Sequence, residues 1–204
     1  MKLDQFYTKP EIAQQCCDLI DFSKYESILE PSAGDGAFLS LLPIDKRIGI
    51  DLDPKNKEIL KQDFFHYKGT ESLVIGNPPF GRVSSLAIKF FNHAATFADT
   101  IAFIIPRTFR RVSVQNKLDL NFHLQTDLEL PIGSFIPATM QAKCCFQIWK
   151  KCSTKRELIK LPMTHKDFEV VSYITVDGKV AAPPNVDFAL RAYGSNCGKI
   201  VDEE

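Results

Sequence analysis

Leu73-Val74-Ile75-Gly76-Asn77-Pro78-Pro79-Phe80 reads as a buried strand driven into a rigid corner. Its first three residues are apolar, two of them β-branched, as a strand covered on both faces requires. Gly76 is the hinge. Two consecutive prolines offer no N–H and clash with helical backbone, so ladder and helix both stop and the chain stiffens. A carboxamide stands before the prolines and a flat aromatic ring after them. That pairing suits gripping an amino group while stacking on a planar ring. The alternative is a rigid turn with a buried Phe.

Working outward, the same strand-to-turn pattern recurs. Upstream, Ser27-Ile28-Leu29 is a short buried strand, followed by the glycine-rich turn Glu30-Pro31-Ser32-Ala33-Gly34-Asp35-Gly36 and a helix through Leu41 and Leu42. Arg47 to Asp51 is a second strand, and a helix is expected from Pro54 to Lys61, with Asp53 as its cap. Gln62 to Phe65 is a strand end or loop. A first helix spans Lys9 to Phe22, with Pro10 in its first turn.

Downstream, Ser84 to Phe97 is an amphipathic helix, Thr100 to Ile105 an apolar strand closed by Pro106, and Arg107 to Leu120 a broken helix. Leu124 to Leu130 and Ala142 to Trp149 are two further strands, separated by a loop from Leu130 to Pro137. Strands alternating with helices imply an α/β fold: a mostly parallel sheet wrapped on both faces. The last two strands, joined only by a loop, imply an antiparallel edge. Glu169 to Val176 is a strand, Asp177-Gly178 a turn, and Asp187 to Tyr193 a strand or short helix. Residues 1–152 are expected to form one catalytic domain, with 153–204 a short extension packed on it.

Lys and Arg together number 25, as do Asp and Glu, so the formal net charge is zero. A chain that holds duplex nucleic acid by phosphate attraction alone is usually basic, so tight autonomous duplex binding is disfavoured. A local rim remains open to Arg82, Arg107, Arg110, Arg111 and Lys117 near strand ends, each of which is equally well a solvated surface charge. There is no long apolar span and no signal-peptide pattern, so no membrane is implied and an intracellular protein is expected. Six cysteines, Cys16-Cys17, Cys144-Cys145, Cys152 and Cys197, show no metal-ligand spacing and read as reduced packing residues. No metal is implied.

In open α/β sheets ligands sit at the carboxyl ends of the strands. Gly34 and Gly36 lack a Cβ, so a ligand can approach that backbone closely. The turn is neither G-x-G-x-x-G nor a P-loop, and suits a nucleoside with an amino-acid tail better than a pyrophosphate. Asp51, closing its strand, can accept both hydroxyls of a ribose or cap a helix. Asp63-Phe64 offers an acceptor and an apolar ring for the edge and face of a purine.

In this order these positions resemble the class I S-adenosyl-L-methionine-dependent methyltransferases, and more narrowly those acting on N6 of adenine in nucleic acids. The resemblance runs over residues 5–150. Gln5-Phe6-Tyr7-Thr8-Lys9-Pro10 is similar to the family's N-terminal segment, with Lys9 inserted before the proline. Leu29 to Gly36 looks like its cofactor loop, and Asn77-Pro78-Pro79-Phe80 like its catalytic tetrapeptide. Leu130-Pro131, Phe135, Pro137 and Thr139 look like its late target-base segment.

The resemblance implies that Thr8, Glu30 and Gly34, in a loop that includes Pro31 and Gly36, hold the methionine end of the cofactor. Asp51 would bind the ribose, Asp63 the adenine amino group and Phe64 the adenine ring, with Asn77 bordering cofactor and target. Asn77 and the Pro78 carbonyl would accept the two N6 hydrogens, Pro79 would stiffen the corner, and Phe80 would stack on the flipped base. Phe135 would meet that base's opposite face or edge, or else serve as a core aromatic.

Such a site is chemically coherent. The adenine amino lone pair is delocalised into the ring, and two acceptors aimed at N6 would draw its hydrogens out of plane. The same acceptors would stabilise the positive charge that develops as the methyl arrives. No strong base is needed, so His66, His93, His123 and His165 are read as surface or packing residues. DNA is the expected substrate and RNA the alternative, because neutral charge and the short tail suggest a separate recognition subunit or an unpaired substrate. A protein-glutamine methyltransferase, which resembles this tetrapeptide but usually has Tyr at its last place, and an inactive binding subunit are the other readings.

Overall fold

Alternation along the strands builds two cores, one on each face of a single sheet. Ile28, Leu73, Ile75, Ala102, Ile104 and Phe146 are buried on one side, Leu29, Val74, Ile101, Phe103, Ile105 and Trp149 on the other. The computed structural model describes residues 6–137, 142–162, 165–172, 174–181, 183–184, 186–190 and 197–201. Thr139 and Tyr193, named above, lie outside the described residues, as does Gln5.

The main sheet has seven strands: β2 (Ile28–Glu30), β3 (Arg47–Asp51), β4 (Leu60–Lys61), β5 (Leu73–Gly76), β6 (Thr100–Pro106), β7 (Phe122–Glu129) and β9 (Cys144–Lys151). Their order is β4-β3-β2-β5-β6-β9-β7. The first five run parallel, and β9 is antiparallel to both neighbours, β6 and β7. The antiparallel strand is therefore second from the edge; β7 holds the edge place expected of it. A separate two-stranded pair joins β1 (Tyr7–Thr8) to β8 (Phe135–Ile136), with Thr8 opposite Phe135.

Helix α1 (Pro10–Cys17) lays Ile12, Ala13, Cys16 and Cys17 on the first face. Helix α2 (Ser85–Ala94) lays Ala87, Phe90, Phe91 and Ala94 on the second, and the short α3 (Val112–Gln115) adds Val114. The paired cysteines go into these cores. Burial pushes the thiols of Cys17, Cys144 and Cys145 up to about 12 and that of Cys16 higher still, so they are unreactive packing residues.

Three expected helices shrink or vanish, two of them where side chains take backbone N–H groups. From Pro54 no helix forms: Asp51 takes the N–H of Asp53 (2.7 Å), Asn56 takes that of Glu58 (3.0 Å), and the Lys55 N–H goes to the Gly34 carbonyl (2.9 Å). Asp53 accordingly caps nothing helical and instead pairs with Lys55. After Gly36 only a 3₁₀ turn, Leu39–Leu41, appears before Pro43. The first helix stops at Cys17, and Asp21 starts a new 3₁₀ turn, Phe22–Lys24, by accepting from Ser23.

The chain divides into two compact units at Ile159/Lys160, seven residues later than the sequence boundary at 152. Arg156 explains the shift. Its guanidinium donates to the carbonyls of Phe122 (3.0 Å), Gln115 (2.5 Å) and Leu118 (3.2 Å), and lies 5.5 Å from the Trp149 ring centroid. The second unit contains two hairpin-like pairs, β10 (Ile174–Val176) with β11 (Lys179–Ala181), and β12 (Ala189–Leu190) with β13 (Ile200–Val201). Asp177-Gly178 makes the first turn as expected, both at positive φ.

Candidate active site

The parallel strands deliver their C-terminal turns to one rim of the sheet, and β5 brings Asn77 there. Two hydrogen bonds fix this residue. Its Nδ2 donates to the Phe6 carbonyl (3.3 Å), and its own carbonyl accepts from Ser32 Oγ (3.2 Å). Pro78 behind it is buried, and Pro79 follows half-buried. With Nδ2 donating to Phe6, Oδ1 is the acceptor end of the carboxamide, and it takes no hydrogen bond among the described residues.

Phe80 is half-buried and touches both cores. Its carbonyl accepts the N–H groups of Leu86 (3.1 Å) and Ala87 (3.2 Å), tying the corner to α2. Phe135 meets Phe80 edge-on, with centroids 6.5 Å apart and planes at 81°. At 1% exposed, Phe135 has no free face for a base. It is the core aromatic of the two readings, a buttress that sets the Phe80 ring.

Gly34 takes φ +54°, and a Cβ there would stand 3.0 Å from Tyr7 Cε1. Only glycine adopts this backbone under that ring without strain. Gly36, at φ +92°, completes the turn. Asp51 binds the loop from β3: one oxygen accepts the Gly34 N–H (2.8 Å), the other that of Asp53. Each carboxylate oxygen keeps a further lone pair for a ligand.

Glu30 is 2% exposed and accepts the Leu39 N–H (2.8 Å). Burial first, then the Asp35 and Asp51 carboxylates, raise its pKa well above the ordinary value against the backbone bonds. It supports the loop from beneath, and Pro31 is buried beside it. Thr8 is buried in β1.

Asp63 caps a 3₁₀ turn, Phe64–His66, by accepting from Phe65 (2.9 Å). Phe64 departs from the expected purine-facing ring. It is 2% exposed, closed in by Phe90 (4.9 Å) and His93 (4.7 Å), so its ring anchors the turn to α2.

Phe6, Tyr7 and Ser32 belong to the site but were not singled out by sequence. With β1 paired to β8, Phe6 meets Asn77 and Tyr7 lies over Gly34; the segment reads as a motif, but no local pattern assigns these two residues their contacts. Ser32 could have been found, since a hydroxyl in a strand-end turn next to the neighbouring strand's turn is a ready donor.

Beyond Phe80 the backbone is strained. Gly81, Val83 and Ser84 have φ of 67°, 52° and 60°. Left-handed backbone costs a non-glycine residue about 1–2 kcal/mol. The expected basic rim is thinner than its composition. Arg107 pairs with Glu129, and Arg110 pairs with Asp127 and Glu129. Arg82, Arg111 and Lys117 are exposed and carry no ion pair among the described residues. Among those residues no His, Cys, Asp and Glu cluster is placed to hold a metal, and no helix is long and apolar enough to cross a membrane.

Six strands that run one way, an antiparallel strand inserted second from the edge, and a glycine turn after β2 define the class I methyltransferase fold. Solved structures agree. The chain is similar to a chain of a type I restriction–modification system (TM-score 0.58, 17% identity), over 71% of this chain and 42% of that one. It is similar to the 23S rRNA methyltransferase ErmE (0.54, 13%), over 76% and 72% respectively. It is also similar to a dimethyladenosine transferase from Plasmodium falciparum (0.55, 17%), over 72% and 63%. At such identities the likeness is one of fold. No family model and no curated protein matches the chain.

Proposed function

We propose that this chain transfers a methyl group from S-adenosyl-L-methionine to the exocyclic N6 of adenine in DNA. One observation carries the reading: the Asn77 carboxamide, three residues before Phe80 in the corner after β5, is held by its nitrogen, which leaves its oxygen as the acceptor end. The Pro78 carbonyl supplies the second acceptor. Together they draw the N6 hydrogens out of the ring plane and stabilise the positive charge gained in transfer. Phe80, buttressed by Phe135, stacks on the extruded base, a contact worth about 1–3 kcal/mol.

The residues present fit the cofactor. The Gly34 turn keeps its backbone bare under the Tyr7 ring, where a Cβ would stand 3.0 Å from Cε1, and Asp51 retains acceptor capacity for ribose hydroxyls. Asp63 would accept from the adenine amino group. Thr8, Pro31 and the loop held by Glu30 would flank the methionine end. When bound, the cofactor supplies an electrophilic methyl; the chain supplies orientation and acceptors.

Zero net charge and a rim with two of its arginines already paired favour a separate recognition subunit over autonomous duplex binding. The likeness to a chain of a type I restriction–modification system, described in terms of complex assembly, supports that view. RNA is the second reading, supported by the likeness to the rRNA methyltransferase.

A radiolabelled methyl-transfer assay on duplex DNA, single-stranded DNA, rRNA, mRNA and protein tests these. Transfer to DNA is expected, and Asn77→Ala should lower it by about 10²–10³-fold while calorimetric cofactor binding persists. An Asn77→Ala enzyme working at the parent rate would overturn the catalytic role. Labelling of RNA alone, or of protein glutamine alone, would replace the substrate.

A further inference from the structure

Val83 is held where a valine should not be. It has φ 52° and ψ 39° and is 76% exposed, so a β-branched side chain occupies left-handed backbone without burying itself. Such a residue is a genuine conformational outlier, and glycine or asparagine would sit there more easily. The outlier is not slack in the chain, because both flanks are locked. On one side the Phe80 carbonyl takes two N–H groups from α2, and a Cβ on Gly81 would stand 2.7 Å from Leu86 Cβ. On the other, Ser84 is 4% exposed, and its Oγ hydrogen-bonds Thr108 Oγ1 at 2.6 Å. The loop is clamped, and the isopropyl group is pushed out three residues beyond the ring assigned to base stacking. Arg82, exposed beside it, can meet a phosphate.

We propose that Val83 is a wedge: it enters the base stack at the place the target adenine leaves, and so holds the extruded state open. This rests on the nucleic-acid reading above and deepens it. The chemistry fits. Extruding a base leaves an apolar gap between stacked neighbours, and an inserted aliphatic side chain fills it. A wedge must be rigid and already exposed before contact, which the clamped, strained loop provides. Val83 touches no reacting atom, so it is a positioning residue.

The test compares two substrates of identical sequence content: a random-sequence duplex DNA pool, and the same pool with strands separated. Only the duplex needs a gap filled. Val83→Gly should lower methyl transfer to the duplex roughly tenfold and change transfer to single strands less than about twofold. Val83→Ile, which keeps the branched bulk, should hold the duplex rate within about threefold. Urea melts should show Val83→Gly at least as stable as the parent, since glycine relieves the left-handed strain.

Equal loss on both substrates, no loss on either, or failure of isoleucine to rescue would overturn the wedge and leave the methyltransferase reading standing. A parent enzyme that methylates neither DNA form would overturn both together.

Discussion

Replacing Gly34 with alanine puts one methyl group where the fold leaves no room, and its cost can be worked out. The residue has φ +54°, and the new Cβ would lie 3.0 Å from Tyr7 Cε1 and 3.2 Å from Cδ1. Carbon atoms settle at about 3.5–4.0 Å, so the ring must retreat by several tenths of an ångström. The backbone term adds about 1–2 kcal/mol for a left-handed alanine. Tyr7 lies on a two-residue strand and can yield, so the steric part should be the smaller; the ~0.4–1 kcal/mol that alanine gains by restricting the unfolded chain offsets it, leaving a total loss of about 1–2 kcal/mol. Function should suffer more. The turn proposed to hold the cofactor distorts as the ring retreats, and the Gly34 N–H that orients Asp51 shifts with it. Binding of S-adenosylhomocysteine by calorimetry should weaken at least tenfold, about 1.4 kcal/mol. A double-mutant cycle with Tyr7→Ala separates the terms: it should recover the steric share and leave the backbone share. Gly34→Ala matching the parent in both urea midpoint and affinity would refute the cradle.

Two further outcomes follow from hydrogen-bonded charged groups. Glu30 has its pKa raised in the folded state, so its contribution is fully present below the unfolded carboxylate pKa and is lost as pH rises through the folded value. Glu30→Gln should therefore gain stability relative to the parent as pH climbs above the ordinary carboxylate range; parallel stability curves for the two proteins would count against a raised value. Arg156→Ala should cost about 1.5–3 kcal/mol in a urea melt, because three carbonyls lose a charged donor. A loss under about 0.5 kcal/mol, the range of ordinary surface changes, would return residues 153–159 to the status of a tail.

The sheet was legible because burial on both faces leaves a plain signal: Ile101 to Ile105 and Leu73 to Ile75 are apolar throughout and end at proline or glycine. The helices were less so. Pro54 to Lys61 has a helix-like start, but Asp51 and Asn56 take N–H groups that a helix would have used. The corner at Asn77 was visible as a motif, yet the direction of its amide depends on the Phe6 carbonyl, set by a pairing between distant segments. Phe135 and Phe64 showed the reverse difficulty. An aromatic next to a functional turn reads alike whether it faces ligand or core, and burial of both rings at 2% or less assigns them to the core. The arginine rim was overread for a simpler reason: Asp127 and Glu129, two apart on β7, put both carboxylates on one side of the strand, opposite Arg107 and Arg110.

The β1–β8 strap is joined at two register positions, Tyr7 with Ile136 and Thr8 with Phe135, while β6 and β9 match along seven. Segments so unequally fastened do not let go together. Detachment of the strap would take away the Phe6 carbonyl and free the Asn77 amide to rotate, with every central strand still in place. Competence for the proposed transfer and integrity of the scaffold are thus two separate thermometers. On warming, the first should fall silent while the second still reads native.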